Sequence, residues 1–268
     1  MQDKAGEKYW STYWENATLP EAFNYKSASV NNYPNQVLHK LFSKIFNGED
    51  SKGKSLLEIG CGNSVLLPYF ASEFGFQISG LDYSEFGCKQ SERILTREGV
   101  NGRIILGDAL NPDPSLLGKF DVVCSFGVVE HFENTKEVIE SFSKFLRPGG
   151  LLITSIPNLA GVTGVLQKWL NRPVYDIHVP MSKADLEKHI IDAGLAIVQS
   201  GYFLSVSFAV TLEGIDGNRI PNYKLKKIFI KSIRTLSKLI WVIEKLVFRF
   251  PSGRLLSAGV MTAARVKK

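Results

Sequence analysis

The segment at 54–64 constrains the fold of this chain more than any other. An apolar run at 56–59 has the length and composition of a buried strand, and it leads directly into Gly60 and Gly62. An apolar pattern with helical spacing follows at 65–70. A strand, a glycine turn and a helix in this order open a doubly wound α/β domain, whose ligand lies at the carboxyl ends of the strands. Glycines in the turn let the backbone approach that ligand, because no Cβ intervenes.

The residues around the glycines bear on which ligand this is. A dinucleotide-binding turn has a third glycine at position 65, whereas this chain has Val65. An NAD-dependent dehydrogenase is therefore disfavoured. Glu58 stands two residues before the first glycine, which gives an acidic-x-Gly-x-Gly pattern. Taken alone, that pattern also fits an unrelated nucleotide-binding turn or a purely structural one.

Further strands follow, and two of them end in acidic side chains. The second predicted strand, 76–82, ends in Asp82 some 20 positions after the glycines. A carboxylate there can accept hydrogen bonds from both ribose hydroxyls of an adenosine. The third predicted strand, 103–109, carries Asp108 near its end. Four more apolar segments complete seven strands, at 120–127, 151–155, 195–203 and 257–266.

Six short motifs occur in the order and spacing of one enzyme family. They are Glu58-Ile-Gly-Cys-Gly, Asp82-Tyr-Ser, Gly107-Asp108-Ala109, Phe120-Asp-Val-Val, Glu130-His131 and Leu146-Arg-Pro-Gly-Gly. Over residues 54–203 the chain resembles class I S-adenosylmethionine (SAM) methyltransferases, especially the small-molecule branch related to ubiquinone-biosynthesis enzymes. It departs from many relatives at Asn63-Ser64, where they have a further glycine. The resemblance implies an α/β fold with a doubly wound, mostly parallel, seven-stranded Rossmann-like sheet.

The resemblance also implies which residues hold SAM and its product S-adenosylhomocysteine. Glu58, Gly60, Cys61 and Gly62 would hold the methionine part, and Asp82 would hold the ribose. The adenine side and the walls would be formed by Asp108, Ala109, Tyr83, Ser84, Phe126, Gly127 and Tyr13. No metal is expected, because the sulfonium already activates the methyl group.

The acceptor side is predicted from the chemistry of the transfer. A hydroxyl nucleophile benefits from a base with a pKa near 7, and histidine is the natural choice. His131, beside Glu130 after the fourth strand, and His178 in the long connection 156–181 are the candidates. Each has a plainer interpretation: His131 as a pocket-shaping residue fixed by Glu130, and His178 as a surface residue. We expect the connection to be a functional loop that forms a substrate wall.

The turn after the fourth strand bears on the acceptor class. Enzymes that methylate the exocyclic amines of bases or the amides of glutamine side chains resemble one another in an (Asn/Asp)-Pro-Pro-aromatic turn, but this chain has Ser125-Phe126-Gly127-Val128. The sequence therefore favours an apolar small-molecule acceptor, such as a secondary metabolite, a quinone or a lipid precursor, with oxygen as the preferred nucleophile. The alternatives are a protein or RNA methyltransferase that docks through a basic helix, and a catalytically silent SAM-binding module.

The domain plan has a Rossmann-like core at 51–204 between two helical additions. An aromatic-rich segment at 1–50 is interpreted as a cap packed on the core, as a lid over the site, or as both. A helical basic insertion at 205–250 precedes the final strand in 251–268. The sequence does not predict the oligomeric state.

The net charge of +6 is concentrated in one stretch. Residues 224–249 carry eight basic side chains and one acidic side chain, so the rest of the chain is nearly neutral. Their apolar residues recur with helical spacing, which fits a solvated basic face, contact with an anionic membrane or a carrier, or RNA binding. RNA is disfavoured because no aromatic residues alternate with the lysines. Three scattered cysteines indicate neither a disulfide framework nor a zinc site, and no secretion signal is evident. A cytoplasmic location is therefore expected, with peripheral membrane contact as one alternative.

Overall fold

The computed structural model describes residues 3–48, 50–212 and 221–267 and contains a seven-stranded sheet. The strands are β1 Ser55–Ile59, β2 Gln77–Asp82, β3 Arg103–Leu106, β4 Phe120–Phe126, β5 Leu146–Pro157, β6 Leu195–Phe203 and β7 Gly259–Val266. Their order is β3-β2-β1-β4-β5-β7-β6. The first five strands are parallel, and β7 runs antiparallel to both of its neighbours. The predicted fold class is confirmed.

Helices cover both faces of this sheet. They are α1 Glu7–Asn16, α2 Tyr33–Ile45, α3 Leu66–Phe74, α4 Glu85–Glu98, α5 Thr135–Ser143, α6 Val162–Leu170, α7 Arg172–Asp176, α8 Lys183–Asp192 and α9 Tyr223–Leu246. Several begin at recognisable caps. Ser84 accepts a hydrogen bond from the Gly87 amide at the start of α4, and Ser182 and Asp185 form a reciprocal capping box at α8. Such caps satisfy backbone amides that have no partner within the helix.

Successive residues of the central strands belong to two different cores. Leu56 packs with Phe42 and Phe70 on the side of α2 and α3. The next residue, Leu57, packs with Phe142 on the side of α5 and α8. Side chains alternate across a strand, so a parallel strand covered on both faces must be apolar throughout. This explains why the apolar run that opens the fold does not alternate with polar residues.

The connection 156–181 differs from the prediction, because it is largely helical. It contains α6 and α7 rather than an extended loop. Leu166 and Leu170 of α6 pack with Val210 and Ile230. The segment therefore has a buried face, which a loop would not have. Pro173 lies in the first turn of α7, where its fixed φ suits a helix.

The fifth strand begins earlier than the predicted residue 151, because the motif Leu146-Arg-Pro-Gly-Gly belongs to β5. Leu146 pairs with Phe120, and the register then shifts before Val122 pairs with Leu151. The remaining strands lie close to their predicted ranges. In the part of the chain that the structure describes, no helix combines the length and the apolar character needed to cross a membrane.

The capping box at the start of α8 gives a stability prediction. Ser182→Ala removes the side-chain oxygen that accepts the hydrogen bond from the Asp185 amide, so we expect the free energy of unfolding to fall by about 1 kcal/mol. Urea unfolding followed by circular dichroism measures this loss. Ser143→Ala, whose hydroxyl donates to the Glu140 carbonyl within a helix, is the matched control. An unchanged unfolding midpoint for Ser182→Ala would contradict the role of the cap.

Candidate functional site

The carboxyl ends of β1 and β4 lie side by side where the strand order reverses, which is the usual ligand position in such sheets. The turn after β1 must be glycine for two reasons. Gly60 has φ +70°, and a Cβ at this position would lie 2.5 Å from the Val128 side chain. The Val128 side chain, which follows β4, is thus in close contact with the turn after β1. A larger residue at either point would separate the two strand ends.

Asp82 joins the turn after β1 to the end of β2. Its two carboxylate oxygens accept hydrogen bonds from the amides of Gly62 and Ser84, each at 2.8 Å. The side chain is buried, and burial raises its pKa despite these bonds. Asp82 therefore shapes the turn in addition to lining the site, a second role that the sequence did not indicate.

Glu58 is buried beneath the same turn. One carboxylate oxygen accepts a hydrogen bond from the Ser64 hydroxyl at 2.7 Å. Burial, with a smaller contribution from the negative charge of Asp82, raises the pKa of Glu58 to about 8. The Ser64 hydroxyl also accepts from the amide of Leu66 at 3.1 Å. Ser64, which stands where the chain departs from the family pattern, therefore fixes both the Glu58 side chain and the start of α3.

Two cavities open at this edge of the sheet. The Asp82 cavity, of about 380 Å³, is lined among others by Tyr83, Asp108, Ala109 and His131. The His178 cavity, of about 530 Å³, is lined by a different set of the predicted residues, which are Tyr13, Glu58, Cys61, Phe126 and His178. Four residues line both cavities: Trp10, Trp14, Gly60 and Gly127. The cavities therefore meet between the turn after β1, the turn after β4, and α1.

Some predicted cofactor residues support the cavities rather than line them. Ser84 is fully buried behind Asp82 and caps α4. Gly62 lies beneath the ring of Trp14, which a Cβ at this glycine would overlap. Tyr13, in contrast, lines the His178 cavity. The structure thus brings the predicted residues together but gives Ser84 and Gly62 a packing role.

α1 covers the meeting point of the cavities without a buried side chain of its own. It is held by Asp3, whose carboxylate accepts hydrogen bonds from the Trp10 ring nitrogen at 3.0 Å and the Tyr83 hydroxyl at 2.6 Å. The Trp10 ring also meets His131 edge to face, with centroids 5.0 Å apart. The aromatic segment is therefore a lightly packed cap with the placement of a lid. Asp3 was not predicted, because it contacts Tyr83 across 80 positions.

Glu130, His131 and His178 form a group beside the meeting point. Nδ1 of His131 lies 2.9 Å from the Ile177 carbonyl oxygen, and Nδ1 of His178 lies 2.6 Å from that of Val174. A carbonyl oxygen only accepts, so each Nδ1 carries the proton, and each Nε2 keeps a lone pair. The two rings lie 4.4 Å apart.

The electrostatics of this group follow from burial. It raises the pKa of Glu130 to about 8 and lowers that of His131. Burial and the neighbouring His131 lower the pKa of His178 to about 4. One buried oxygen of Glu130 has no hydrogen-bond partner in the described chain.

The group has the composition of two known kinds of site. One potential ligand atom from each residue lies within 4.8 Å of the others, and two histidines with one carboxylate are a common ligand set for divalent transition metals. The same atoms could accept a proton from a bound acceptor. The expectation that no metal is required stays a prediction.

A methyltransferase domain family matches residues 30–200 of the chain. The chain belongs to this family. Among curated relatives, norajmaline N-methyltransferase of Rauvolfia serpentina is 28% identical over 114 residues, which cover 42% of this chain and 39% of the relative. Ubiquinone biosynthesis O-methyltransferase of Psychrobacter arcticus is 28% identical over 155 residues, covering 53% and 59% respectively. The chain thus spans about two to three fifths of the length of these two relatives.

Solved structures agree with this methyltransferase in fold. Geranyl diphosphate C-methyltransferase of Streptomyces coelicolor has a TM-score of 0.58 at 14% identity, with 97% of both chains covered. Phosphoethanolamine N-methyltransferase 2 of Haemonchus contortus has a TM-score of 0.57 at 16% identity, with 99% of this chain and 57% of that chain covered. The resemblance to class I SAM methyltransferases is confirmed. The named relatives transfer methyl groups to nitrogen, oxygen and carbon, so membership of the family leaves the acceptor atom open.

The raised pKa of Glu130 makes a prediction about stability. The folded protein holds this proton up to about pH 8, whereas the unfolded chain releases it near the ordinary value of 4.5. Stability from the protonated carboxyl is complete below pH 4.5 and is lost as the pH rises towards 8. Glu130→Gln should therefore gain stability over the natural protein between pH 5 and pH 8, by up to a few kcal/mol at about 1.4 kcal/mol per pKa unit.

Urea unfolding of the ligand-free, EDTA-treated proteins at pH 5, 6.5 and 8 measures this gain. Glu137→Gln, on an exposed position of α5, is the matched control and should differ from the natural protein by a constant amount. A constant difference for Glu130→Gln as well would show that the buried carboxyl is not protonated preferentially in the folded state.

Proposed function

We propose that this methyltransferase transfers the methyl group of SAM to an apolar small molecule, with an oxygen atom as the favoured nucleophile. The observation that carries the proposal is the meeting of two cavities at Gly60 and Gly127. The Asp82 cavity has carboxylates that can accept hydrogen bonds from an adenosine. The His178 cavity is larger and more apolar. A methyl group placed at their junction faces the second cavity.

SAM fits the charges of the site. Asp82 would accept from the ribose hydroxyls and Asp108 would face the adenine, both in the Asp82 cavity. Glu58 lies at the His178 cavity, where the sulfonium and the ammonium of the methionine part would compensate its buried charge. Since Glu58 has a pKa of about 8 without a cation, binding of SAM should favour its ionised form and release a proton near neutral pH.

The His178 cavity supports an apolar acceptor. Its walls include Phe126, Val174 and Ile177, with Thr163 and Gln167 as polar groups. Small-molecule sites typically combine mostly apolar walls with a few polar groups that fix orientation. Gln167 is already engaged, because its side chain both donates to and accepts from the backbone of Thr211. Glu130 lies close to Gly127 at the junction, since a Cβ on that glycine would be 3.6 Å from its Oε1, and its group with His131 and His178 is the one to which we assign the proton transfer.

The transfer itself needs alignment and one proton acceptor. The acceptor oxygen attacks the methyl carbon, the carbon–sulfur bond breaks, and its electron pair stays on sulfur to give S-adenosylhomocysteine. The proton of the hydroxyl passes to a base. The free Nε2 of His131 suits this role near neutral pH, and Glu130 suits it only above about pH 8, where it has released its own proton. His178 has a pKa of about 4, which makes it a weak base. Holding the two reactants in line supplies much of the remaining acceleration.

Replacing Asp82 tests the cofactor assignment. Asp82→Ala should weaken the binding of SAM by about 1–3 kcal/mol or more, because buried partners lose their hydrogen bonds. Isothermal titration calorimetry with SAM and S-adenosylhomocysteine measures this, and Asp82→Asn keeps the turn after β1 partly supported. Asp50→Ala, at an exposed position before β1, is the control. Unchanged affinity in both Asp82 variants would refute the assignment.

Replacing Glu130 or His131 tests which residue accepts the proton. Glu130→Gln or His131→Gln should lower the turnover of SAM with a panel of alkyl phenols and catechols by about 10²–10⁴-fold, with SAM affinity within twofold of the natural protein. His178→Asn should alter KM more than kcat. His189→Gln on α8 is the control.

Three results would count against this mechanism. Normal rates in both the Glu130→Gln and the His131→Gln variant would show that these residues do not accept the proton. A rate that needs an added divalent cation after EDTA treatment would instead assign the three residues as its ligands. Turnover only with a protein or RNA acceptor would overturn the small-molecule proposal.

A further inference from the structure

α9 packs on the body of the protein through one narrow face. Its buried residues are Ile230, Ser237, Trp241 and Glu244, spaced so that they point in one direction. The Trp241 ring nitrogen donates to the Val206 carbonyl at 2.8 Å, and Ser205 donates to the Glu244 carboxylate. The helix is thus anchored, with its orientation fixed.

The opposite face of α9 is apolar and exposed. This outer stripe consists of Leu225, Ile228, Leu236, Leu239, Ile243 and Leu246. They recur every three or four residues, with a gap at Ser232, and lie on the side of the helix away from the buried face. Leu225, Ile228 and Leu246 are 67%, 63% and 78% exposed, so the outer stripe is in water rather than partly covered. Contiguous apolar surface of this kind marks a contact with a membrane or another macromolecule.

A row of lysines borders the outer stripe on one side. This lysine flank consists of Lys224, Lys227, Lys231, Lys238 and Lys245, all exposed. The one acidic residue of α9, Glu244, lies on the buried face. The exposed surface of the helix is therefore apolar and cationic, without an opposing charge.

The apolar surface continues onto α6. Trp169 is 59% exposed and meets Phe229 of α9 edge to face, with ring centroids 5.3 Å apart. Val165, one turn earlier on α6, is also exposed. On its other side α6 presents Thr163 and Gln167 to the His178 cavity. One short helix thus separates the exposed surface from that cavity.

The combination selects one kind of partner. A nucleic acid would neutralise the lysine flank but leave the outer stripe in water. A second copy of this chain would cover the stripe, but it would bring a second lysine flank to the same interface. An anionic bilayer satisfies both, because the apolar side chains enter the boundary between headgroups and acyl chains while the lysines stay at the phosphates.

We propose that the outer stripe and lysine flank of α9, with Trp169, bind the surface of an anionic lipid bilayer. Binding lies in the plane of the surface, since α9 is anchored along its length. If the function proposed above holds, this places the His178 cavity beside the bilayer, and the acceptor is a molecule that partitions into lipid.

Vesicle flotation of the full chain tests the surface. Vesicles of phosphatidylcholine with 30% phosphatidylglycerol should bind the protein at least tenfold more tightly than vesicles of phosphatidylcholine alone, and 0.5 M NaCl should weaken the binding. Lys227→Glu/Lys231→Glu/Lys238→Glu and, separately, Leu239→Ser/Ile243→Ser should each lower the affinity at least tenfold. Lys52→Glu/Lys119→Glu/Lys144→Glu, which changes three exposed lysines at the amino ends of the strands, is the charge-matched control and should retain most of the binding.

Two further readouts decide between partners. Tryptophan emission should shift to shorter wavelength on vesicle binding, and Trp169→Phe should remove most of the shift. Calorimetry with SAM on every variant shows whether the core remains folded, independently of turnover. Equal loss in the control and the α9 triple variant would overturn the proposal. So would RNA binding without vesicle binding, or a dimer that Leu239→Ser/Ile243→Ser dissociates while vesicles leave the natural protein unbound.

Discussion

The two hydrogen bonds that the Asp82 carboxylate accepts from Gly62 and Ser84 are the constraint on which the site depends. They fix the turn after β1 against the end of β2, and the absence of a Cβ at Gly60 lets the same turn pack against Val128 after β4. Three strand ends are thereby fixed relative to one another. The junction between the two cavities exists because these ends cannot move apart.

The site also collects three acidic side chains that no ion pair among the described residues neutralises. Glu58, Asp82 and Glu130 are all buried at this edge of the sheet, and burial raises the pKa of each. The ion pairs seen among the described residues lie instead between partly or fully exposed side chains such as Lys188 and Asp192. Burying an acid without a cation costs free energy, so the ligand-free site favours a positively charged ligand. A sulfonium that also carries an ammonium group has the charge that such a site lacks.

Much of the fold could be predicted because it depends on local pattern. Leu56 and Leu57 pack on opposite faces of the sheet, and a fully apolar strand signals that arrangement directly. α6 was not predicted, because the long connection 156–181, which contains Gly161 and Gly164, was interpreted as a loop. The structure shows that Gly164 is inside the helix, where a Cβ would collide with the Leu159 backbone. Position 164 is therefore glycine because two backbone segments lie close together there, and not because the helix ends there.

The sequence predicted which residues gather at this edge of the sheet better than it predicted their arrangement, and their roles in binding and catalysis stay predictions. The acids and glycines follow strand ends, which sequence spacing reveals. The support from Asp3 to Tyr83 and from Ser64 to Glu58 depends on contacts that no periodicity encodes. α9 shows the same limit: its composition indicates a basic amphipathic helix, but composition cannot say which face packs. Because Trp241 and Glu244 occupy the inward face, the leucines must point outward. A few buried residues thus set the rotation of α9 about its axis, and this rotation decides which of its apolar and basic side chains are exposed.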